Sequence, residues 1–380
     1  MKAGVSGGDL LGRWKHILTD GSDMTLQIYY DQNKRRTRSF TNITDTVDFD
    51  FYHHFSLTDN HEITWGAGYR LVMDELRGSF GITMDHPKRD MHTFSWFVQD
   101  DITLVEDKLK AIVGAKMEHN SFTGFEIQPS ARLLWTPNEK ETIWVAATHA
   151  VRTPTRSDSD TVVNYRAGPI WGGIRGNDDV KSETVDAFEL GYRVKPNEKL
   201  FVDVAAFFNN YDRLVAQRTI PPIIIGASTI YPAQTINGLD GETYGGEVSA
   251  TYKVNDNWKL NAGYSFIQMQ LHQDDSTATT DGSTTEGETP HNQFHVRSYL
   301  NLTKDLELDL LLNYVDNLPT RDVHSYIRFD ARLGWHINEN MELSLVGQNL
   351  FDNRNPEHYT MATTVTEAER SFYVKFTYRF

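Results

Sequence analysis

The sequence contains no cysteine, which removes disulfides, thiolate nucleophiles and cysteine metal sites from consideration. It has no run approaching the roughly 18 consecutive apolar residues of a membrane-spanning helix. Cations are outnumbered: 37 Lys and Arg against 52 Asp and Glu leave a formal charge of −15, which argues against nucleic acid as a partner. After Met1-Lys2 the chain reads AGVSGGDLLGRW, without the apolar centre of an export signal. No stretch carries a convincing helical period, and neither a nucleophile elbow nor HExxH occurs, so an enzyme is not expected. None of these absences excludes a membrane. A transmembrane barrel spreads its apolar residues over alternate positions, and its mean hydropathy stays polar, here −0.51.

What the sequence does have is alternation. The last ten residues read SFYVKFTYRF, with Phe372, Val374, Phe376, Tyr378 and Phe380 on one side and Tyr373, Lys375, Thr377 and Arg379 on the other. Such a period of two is a β-strand with one apolar face. The same pattern recurs at Met24–Tyr30, Val47–Leu57, Phe188–Val194, Trp258–Phe266 and Ile327–Ile337. Alternation alone also fits a soluble sandwich or propeller. The connections favour a barrel: short polar turns near 19–22, 58–61, 105–108, 136–140, 195–198, 254–257, 303–305 and 338–340 alternate with longer connections. The longer ones lie near 33–45, 74–91, 119–125, 151–182, 210–240, 271–290, 315–325 and 351–369. Tight periplasmic turns and extended outer loops are the habit of an outer-membrane barrel. The expectation is an all-β, transmembrane antiparallel β-barrel, in part, with about 17 strands and the apolar face of Phe372–Phe380 toward lipid. An odd count makes the first strand, near residues 9–18, parallel to the last. Barrels of a single chain favour even counts, so the chain is expected to be a fragment whose end strands lack neighbours.

Several segments, in order, resemble one family. Phe97-Val98-Gln99-Asp100-Asp101, Gln128-Pro129-Ser130-Ala131-Arg132, Val151-Arg152-Thr153-Pro154-Thr155, Lys181-Ser182-Glu183 with Phe188-Glu189-Leu190-Gly191-Tyr192, and Tyr244-Gly245-Gly246-Glu247-Val248 are followed by Asn349-Leu350-Phe351-Asp352-Asn353 and the terminal aromatic strand. Together they resemble the barrel of TonB-dependent outer-membrane receptors of Gram-negative bacteria. The resemblance implies uptake of a scarce ligand, most often a ferric siderophore, energised through TonB; cobalamin, haem and glycans are alternatives. It also implies a terminal strand, ending at Phe380, that the barrel assembly machinery reads. Residues 1–380 would then be the C-terminal portion of a barrel of the roughly 22-stranded kind, starting about five strands in. Nothing in the chain resembles the plug domain or the segment that contacts TonB. A passive porin and a barrel-type outer-membrane enzyme are the competing readings.

Candidate ligand-binding residues sit in two outer connections: Arg152, Arg156, Tyr165, Trp171 and Arg175 in the first, Tyr211 and Arg213 in the second, with Arg166, Arg218, Tyr231 and Gln234 near them. Arginine forks bind carboxylate or catecholate oxygens, and aromatic rings stack on flat ligands. The competing reading is that Arg152 and Arg156 pair with Asp158, Asp160 and barrel carboxylates. The stretch PPIII at 221–225 is expected to pack against neighbouring loops, and the acidic, low-complexity 271–290 to be a mobile surface loop. The 14 histidines invite a metal reading, with a Zn or Fe site in the Met- and Asp-rich loop flanked by His86 and His92 weighed against a solvated loop, which is the expectation. His53 and His54, adjacent in a strand, point to opposite faces, and His86 and His92 read as solvated loop residues. No histidine lies between Val151 and Lys181, where haem-binding members of the family would carry one. No cofactor is expected.

Overall fold

The computed structural model describes residues 3–19, 21–352, 354–358 and 366–380. Asn353 of the NLFDN stretch, Met1-Lys2, and the middle of the 351–369 connection lie outside the described residues. In chain order the elements are β1 (Gly4–Ile17), β2 (Asp23–Arg36), β3 (Thr41–Thr58), β4 (His61–Arg77), β5 (Ile82–Met84), β6 (Lys88–Val105), β7 (Leu109–Asn120), β8 (Gly124–Asn138) and β9 (Glu141–Arg152). Next come helix α1 (Arg156–Asp160), β10 (Thr161–Ala167), β11 (Ile170–Arg175), β12 (Glu183–Asn197), β13 (Leu200–Thr219), β14 (Ile223–Ile225), β15 (Ser228–Asn255) and β16 (Trp258–Gln273). The last stretch holds helix α2 (Gly282–Glu286), β17 (Asn292–Asn301), β18 (Leu306–Val315), a single 3-10 turn at Pro319–Arg321, β19 (Tyr326–Asn338), β20 (Met341–Gln348), β21 (Arg354–His358), β22 (Thr366–Glu369) and β23 (Ser371–Tyr378). Apart from the short loop strands β5, β10, β11, β14, β21 and β22, seventeen strands form the wall among the described residues, the number the alternation predicts.

Each wall strand pairs antiparallel with the next, from β1 through to β23. The ladder satisfies backbone groups that a bilayer would leave stranded, which is why strands cross membranes only in such sheets. Directly opposed residues share a face, so apolar rows run around one side: Val145, Leu190, Ala206, Gly246 and Phe266 in one, Leu333, Leu345 and Val374 in another. The other side is polar, as in the row Glu247, Ser265 and Gln293. Phe372, Val374, Phe376 and Tyr378 are all exposed on the apolar side. The wall thus carries one apolar and one polar face, the pattern of an outer-membrane β-barrel. Among the described residues β1 pairs only with β2 and β23 only with β20, and the two edges run parallel.

Several loop expectations change. The connections near 33–45 and 119–125 shrink to 37–40 and 121–123, because the strands continue past the apolar band until a side chain closes the turn. Thr37 Oγ1 accepts from the Ser39 and Phe40 amides, and Asn120 Oδ1 accepts from the Phe122 and Thr123 amides at 2.9 Å each. Most of 210–240 is strand as well, in β13 and β15. The PPIII stretch contributes β14, yet Ile224 is exposed rather than packed. Segment 271–290 is folded: the Asp281 side chain caps α2, Glu286 accepts from the Leu271 amide at 2.6 Å, and the Thr279 amide donates to Gln217 O at 2.6 Å. The helices absent from the sequence reading, α1 and α2, have five residues each, too few for an apolar period to register.

Candidate functional site

Three outer connections, between β4 and β6, β9 and β12, and β13 and β15, merge into one layer above the wall. β5 pairs with β10, β10 with β11, and β11 runs parallel to the start of β15 from Trp171↔Ile230 to Arg175↔Gln234. β14 folds back on the same part of β15. The β-branched content of Val162, Val163, Ile170 and Ile174 favours strands here, and Gly168, at a φ of 61°, turns the hairpin. Ile230 and Pro232 are fully buried in this layer. Below it Ala216, Ile236 and Leu239 form an apolar cluster with Leu214 and Ala278. The packed core of the protein therefore lies in the outer loops rather than in the lumen.

An ion network fastens the layer to the wall. Thr155 caps α1 reciprocally with Asp158. Asp160, with no exposed surface, accepts from Arg89 Nη1 at 2.9 Å and lies 3.1 Å from His86 Nδ1 and 3.4 Å from Arg156 Nε. Burial opposes ionisation of Asp160, but His86, Arg89 and Arg156 outweigh it and hold the carboxyl below its ordinary range. The Arg156 guanidinium is buried too and also donates to the Asp74 carboxylate and to His86 O. His86, Asp160 and Asp178 bring donor atoms within 4.8 Å of one another, a set that suits a metal ion. Arg89 stands between the two carboxylates, 3.3 Å from Asp178 Oδ1, so a guanidinium already answers their charge. The network is a structural joint. The Arg156–Asp160 pair, four residues apart, is the pairing expected under the competing reading of the sequence, whereas Asp74, His86, Arg89 and Asp178 come from distant segments.

The seven expected ligand residues divide by the partners they hold. Arg156 is committed to the joint. Arg175, at the end of β11, donates to Val163 O, Ile174 O and Asn164 Oδ1 at 2.7–2.9 Å. Trp171 lies on the inner face of the loop layer, edge-on to Phe80 at 5.3 Å, while Tyr165 occupies the opposite, exposed face. Tyr165, Gly172 and Tyr231 are register neighbours on that face, and a Cβ on Gly172 would stand 2.6 Å from the Tyr165 ring. The ring thus lies flat across a glycine, with exposed Tyr231 on its far side. Arg152 is half exposed, and its Nε donates to Glu183 Oε2 at 2.5 Å, with Asp158 at 3.8 Å. Register places Arg152, Glu183 and Tyr211 on the lumen face at the barrel mouth. Arg213 sits at a bulge in β13 with a φ of 59°; its Nε is 3.3 Å from Asp212 Oδ2 and its side chain is 40% exposed. The layer thus presents Arg152, Tyr165, Tyr211, Arg213 and Tyr231, and spends Arg156, Trp171 and Arg175 on its own cohesion. Glu183 and Phe80 were not among the expected ligand residues. Glu183 stands in the Lys181–Glu183 segment; Phe80 has no sequence signal.

Below the mouth, the lumen face of β2 to β7 bounds a cavity of about 480 Å³ lined by Tyr29, Asp48, Asp50, Arg70, Lys116 and Thr153. Arg70 Nε donates to Asp48 at 2.7 Å and Lys116 to Glu118 at 2.9 Å. Thr153, in the connection after β9, reaches this space, so the loop layer continues into the lumen.

Comparison with known proteins places this geometry. The family model described as "TonB dependent receptor-like, beta-barrel" matches residues 6–350. An iron-regulated outer membrane virulence protein of Vibrio cholerae is 23% identical over 180 residues, covering 46% of this chain and 27% of that protein. The ferric enterobactin receptor PfeA of Pseudomonas aeruginosa superposes with a TM-score of 0.77 at 16% identity, covering 98% of this chain and 62% of that one. The siderophore receptor PirA of Acinetobacter baumannii gives 0.78 at 14% identity over 99% of this chain and 62% of that one. The chain spans less than two thirds of the length of each.

Proposed function

The chain belongs to the TonB-dependent receptor-like β-barrel family, and from that premise we propose that it is the wall and ligand-capturing mouth of an outer-membrane receptor for a ferric siderophore. Import would be energised through TonB. The observation that carries the reading is the loop layer. Arg152 and Tyr211 line the mouth, Arg213 stands at its bulge, and Tyr165 and Tyr231 form an aromatic shelf over Gly172. Guanidinium forks suit the anionic oxygens of a ferric chelate, and tyrosine faces suit its flat rings. Arg156, Trp171 and Arg175 hold those groups in place. Relatives named for ferric enterobactin and for siderophores share the fold.

In this reading residues 1–380 form part of the receptor's barrel. The free edges of β1 and β23 pair with strands of the remaining receptor, which also supplies the plug and the TonB contact. The apolar wall meets outer-membrane lipid, and β23 with Phe380 is the strand offered to the assembly machinery. The test is titration of the membrane-reconstituted protein with radiolabelled ferric catecholate and ferric hydroxamate chelates. Saturable binding that weakens in Arg152→Gln and Arg213→Gln is expected. Absence of saturable binding, together with steady ohmic conductance in planar bilayers, would replace this reading with a porin. Turnover of lipid or peptide would replace it with an enzyme.

A further inference from the structure

Two of the short turns carry the same four residues: Pro137-Asn138-Glu139-Lys140 between β8 and β9, and Pro196-Asn197-Glu198-Lys199 between β12 and β13. They close alike. Asn138 Oδ1 accepts from the Lys140 amide and Asn197 Oδ1 from the Lys199 amide, both at 2.9 Å. β9 pairs with β12, so the turns are neighbours, and the Lys195 amide donates to Lys140 O at 2.8 Å. Their charges are spent differently. Lys195, before the second proline, pairs with Glu198 at 2.8 Å. Thr136 holds the corresponding place before Pro137 and brings no charge. Glu139 and Lys140 are exposed, and among the described residues neither ends in a salt bridge. Lys140 acts on Glu198 only at a distance, behind Lys195.

The two turns bound a groove of about 760 Å³, lined by Glu139, Lys140, Glu141, Tyr192, Val194 and Pro196. Glu141 is opposite Val194, so the groove opens on the apolar side of the wall. Glu141 Oε1 accepts from Tyr192 Oη at 3.0 Å and Oε2 from Asn138 Nδ2 at 2.7 Å. Each oxygen keeps a second lone pair for a further donor. The next row into the membrane is Trp135, Ile143 and Tyr192, on the same side. Trp and Tyr rings mark the membrane–water boundary of a barrel, which puts Glu139, Lys140 and Glu141 at the level of the periplasmic headgroups.

We propose that this groove binds the headgroup of a zwitterionic phospholipid with a primary ammonium, a phosphatidylethanolamine, from the periplasmic leaflet. The phosphate lies against Lys140 Nζ, the ammonium against Glu139 and Glu141, and the acyl chains run past Tyr192 and Ile143. One cation flanked by two carboxylates repels a purely anionic headgroup. A primary ammonium donates N–H bonds to those carboxylates, which a quaternary ammonium cannot do. The groove lies at the opposite end of the barrel from the mouth and does not depend on the siderophore reading.

The test reconstitutes the protein in phosphatidylcholine nanodiscs doped with equal amounts of phosphatidylethanolamine and phosphatidylglycerol. Each lipid retained per protein is counted after extraction into detergent. The unmodified protein should retain phosphatidylethanolamine selectively. Glu139→Gln and Lys140→Gln should each weaken retention about fivefold, the scale of one exposed charge contact. Lys140→Arg should retain it, as should Lys304→Gln in the turn before β18. Glu139→Lys should turn the preference toward phosphatidylglycerol, a reversal that misfolding would not produce. Heat-modifiable mobility on gels reports assembly, and Glu141→Gln replaces Glu139→Lys if that variant does not assemble, with loss of selectivity expected. Equal retention of the three lipids, unchanged selectivity in these variants, or displacement by equimolar glycerophosphoethanolamine would each overturn the proposal.

Discussion

Arg152 donates through Nε to Glu183 Oε2 at 2.5 Å, and the other oxygen of Glu183 accepts from the Val215 amide at 2.7 Å. One carboxylate therefore sets both the cation at the barrel mouth and the strand just beyond the Arg213 bulge. Glu183 also raises the pKa of Arg152, so the cation is secure at any physiological pH.

Glu183→Ala should release both. A charge-assisted hydrogen bond at a half-exposed position contributes about 1 kcal/mol, so chelate affinity should fall about fivefold. Protease cleavage at 212–215 should appear at the same time. If cleavage appears and affinity is unchanged, Arg152 is not a ligand contact.

Asp160→Asn should open the loop layer and leave the wall intact. Removing one member of a buried charged set costs about 3–5 kcal/mol, because Arg156 and Arg89 are left underpaired. Limited proteolysis should cut within 153–182 while heat-modifiable mobility persists. Loss of both together would show that the joint supports the wall as well.

The same carboxyl predicts a pH response. The folded pKa of Asp160 is depressed below its ordinary 3.8, so its stabilisation is complete above that value and disappears as pH falls through the folded pKa. Amide-exchange protection of α1 and β10 should be alike at pH 7 and pH 5 and should drop below about pH 4. Protection lost already at pH 5 would assign the joint to a group other than Asp160.

Gly172→Val should push the Tyr165 ring off the shelf, since even a Cβ there comes within 2.6 Å of it. Chelate binding should weaken about tenfold, the scale of one lost aromatic contact, with thermal stability of the wall little changed. Unaltered binding would remove Tyr165 from the site.

On β23, Val374→Arg places a charge on the lipid face at a cost of about 2–4 kcal/mol near the midplane. The assembled, heat-modifiable fraction should fall sharply. Lys375→Gln, on the lumen face, should assemble normally. Equal assembly of both would mean that the faces of the strand are reversed.

The alternation from Met24 to Tyr30 or from Phe188 to Val194 reads directly as a two-faced strand, because the period is local and each residue reports its own face. Strand lengths beyond the membrane are less legible. Lys34 to Arg36 look like loop by composition, yet the ladder continues through Arg36↔Thr41 until Thr37 closes the turn. Composition also misleads at 271–290, where polar residues suggested mobility but Ala278 is packed and Glu286 is bonded to Leu271. In the candidate site, residue types in 151–182 and 210–240 singled out two connections that the structure joins in one layer. Which of them face a ligand depended on partners such as Asp74, His86 and Asn164.

By itself the sequence determined the wall: period-two alternation, the order of short and long connections, and an aromatic terminal strand suffice, because a barrel strand's faces are set residue by residue. Tertiary structure alone decided the site. The parallel pairing of Trp171 with Ile230 and the Arg89 contact to buried Asp160 arise from segments tens of residues apart, and no local pattern records which distant group will cancel a charge or cover a strand.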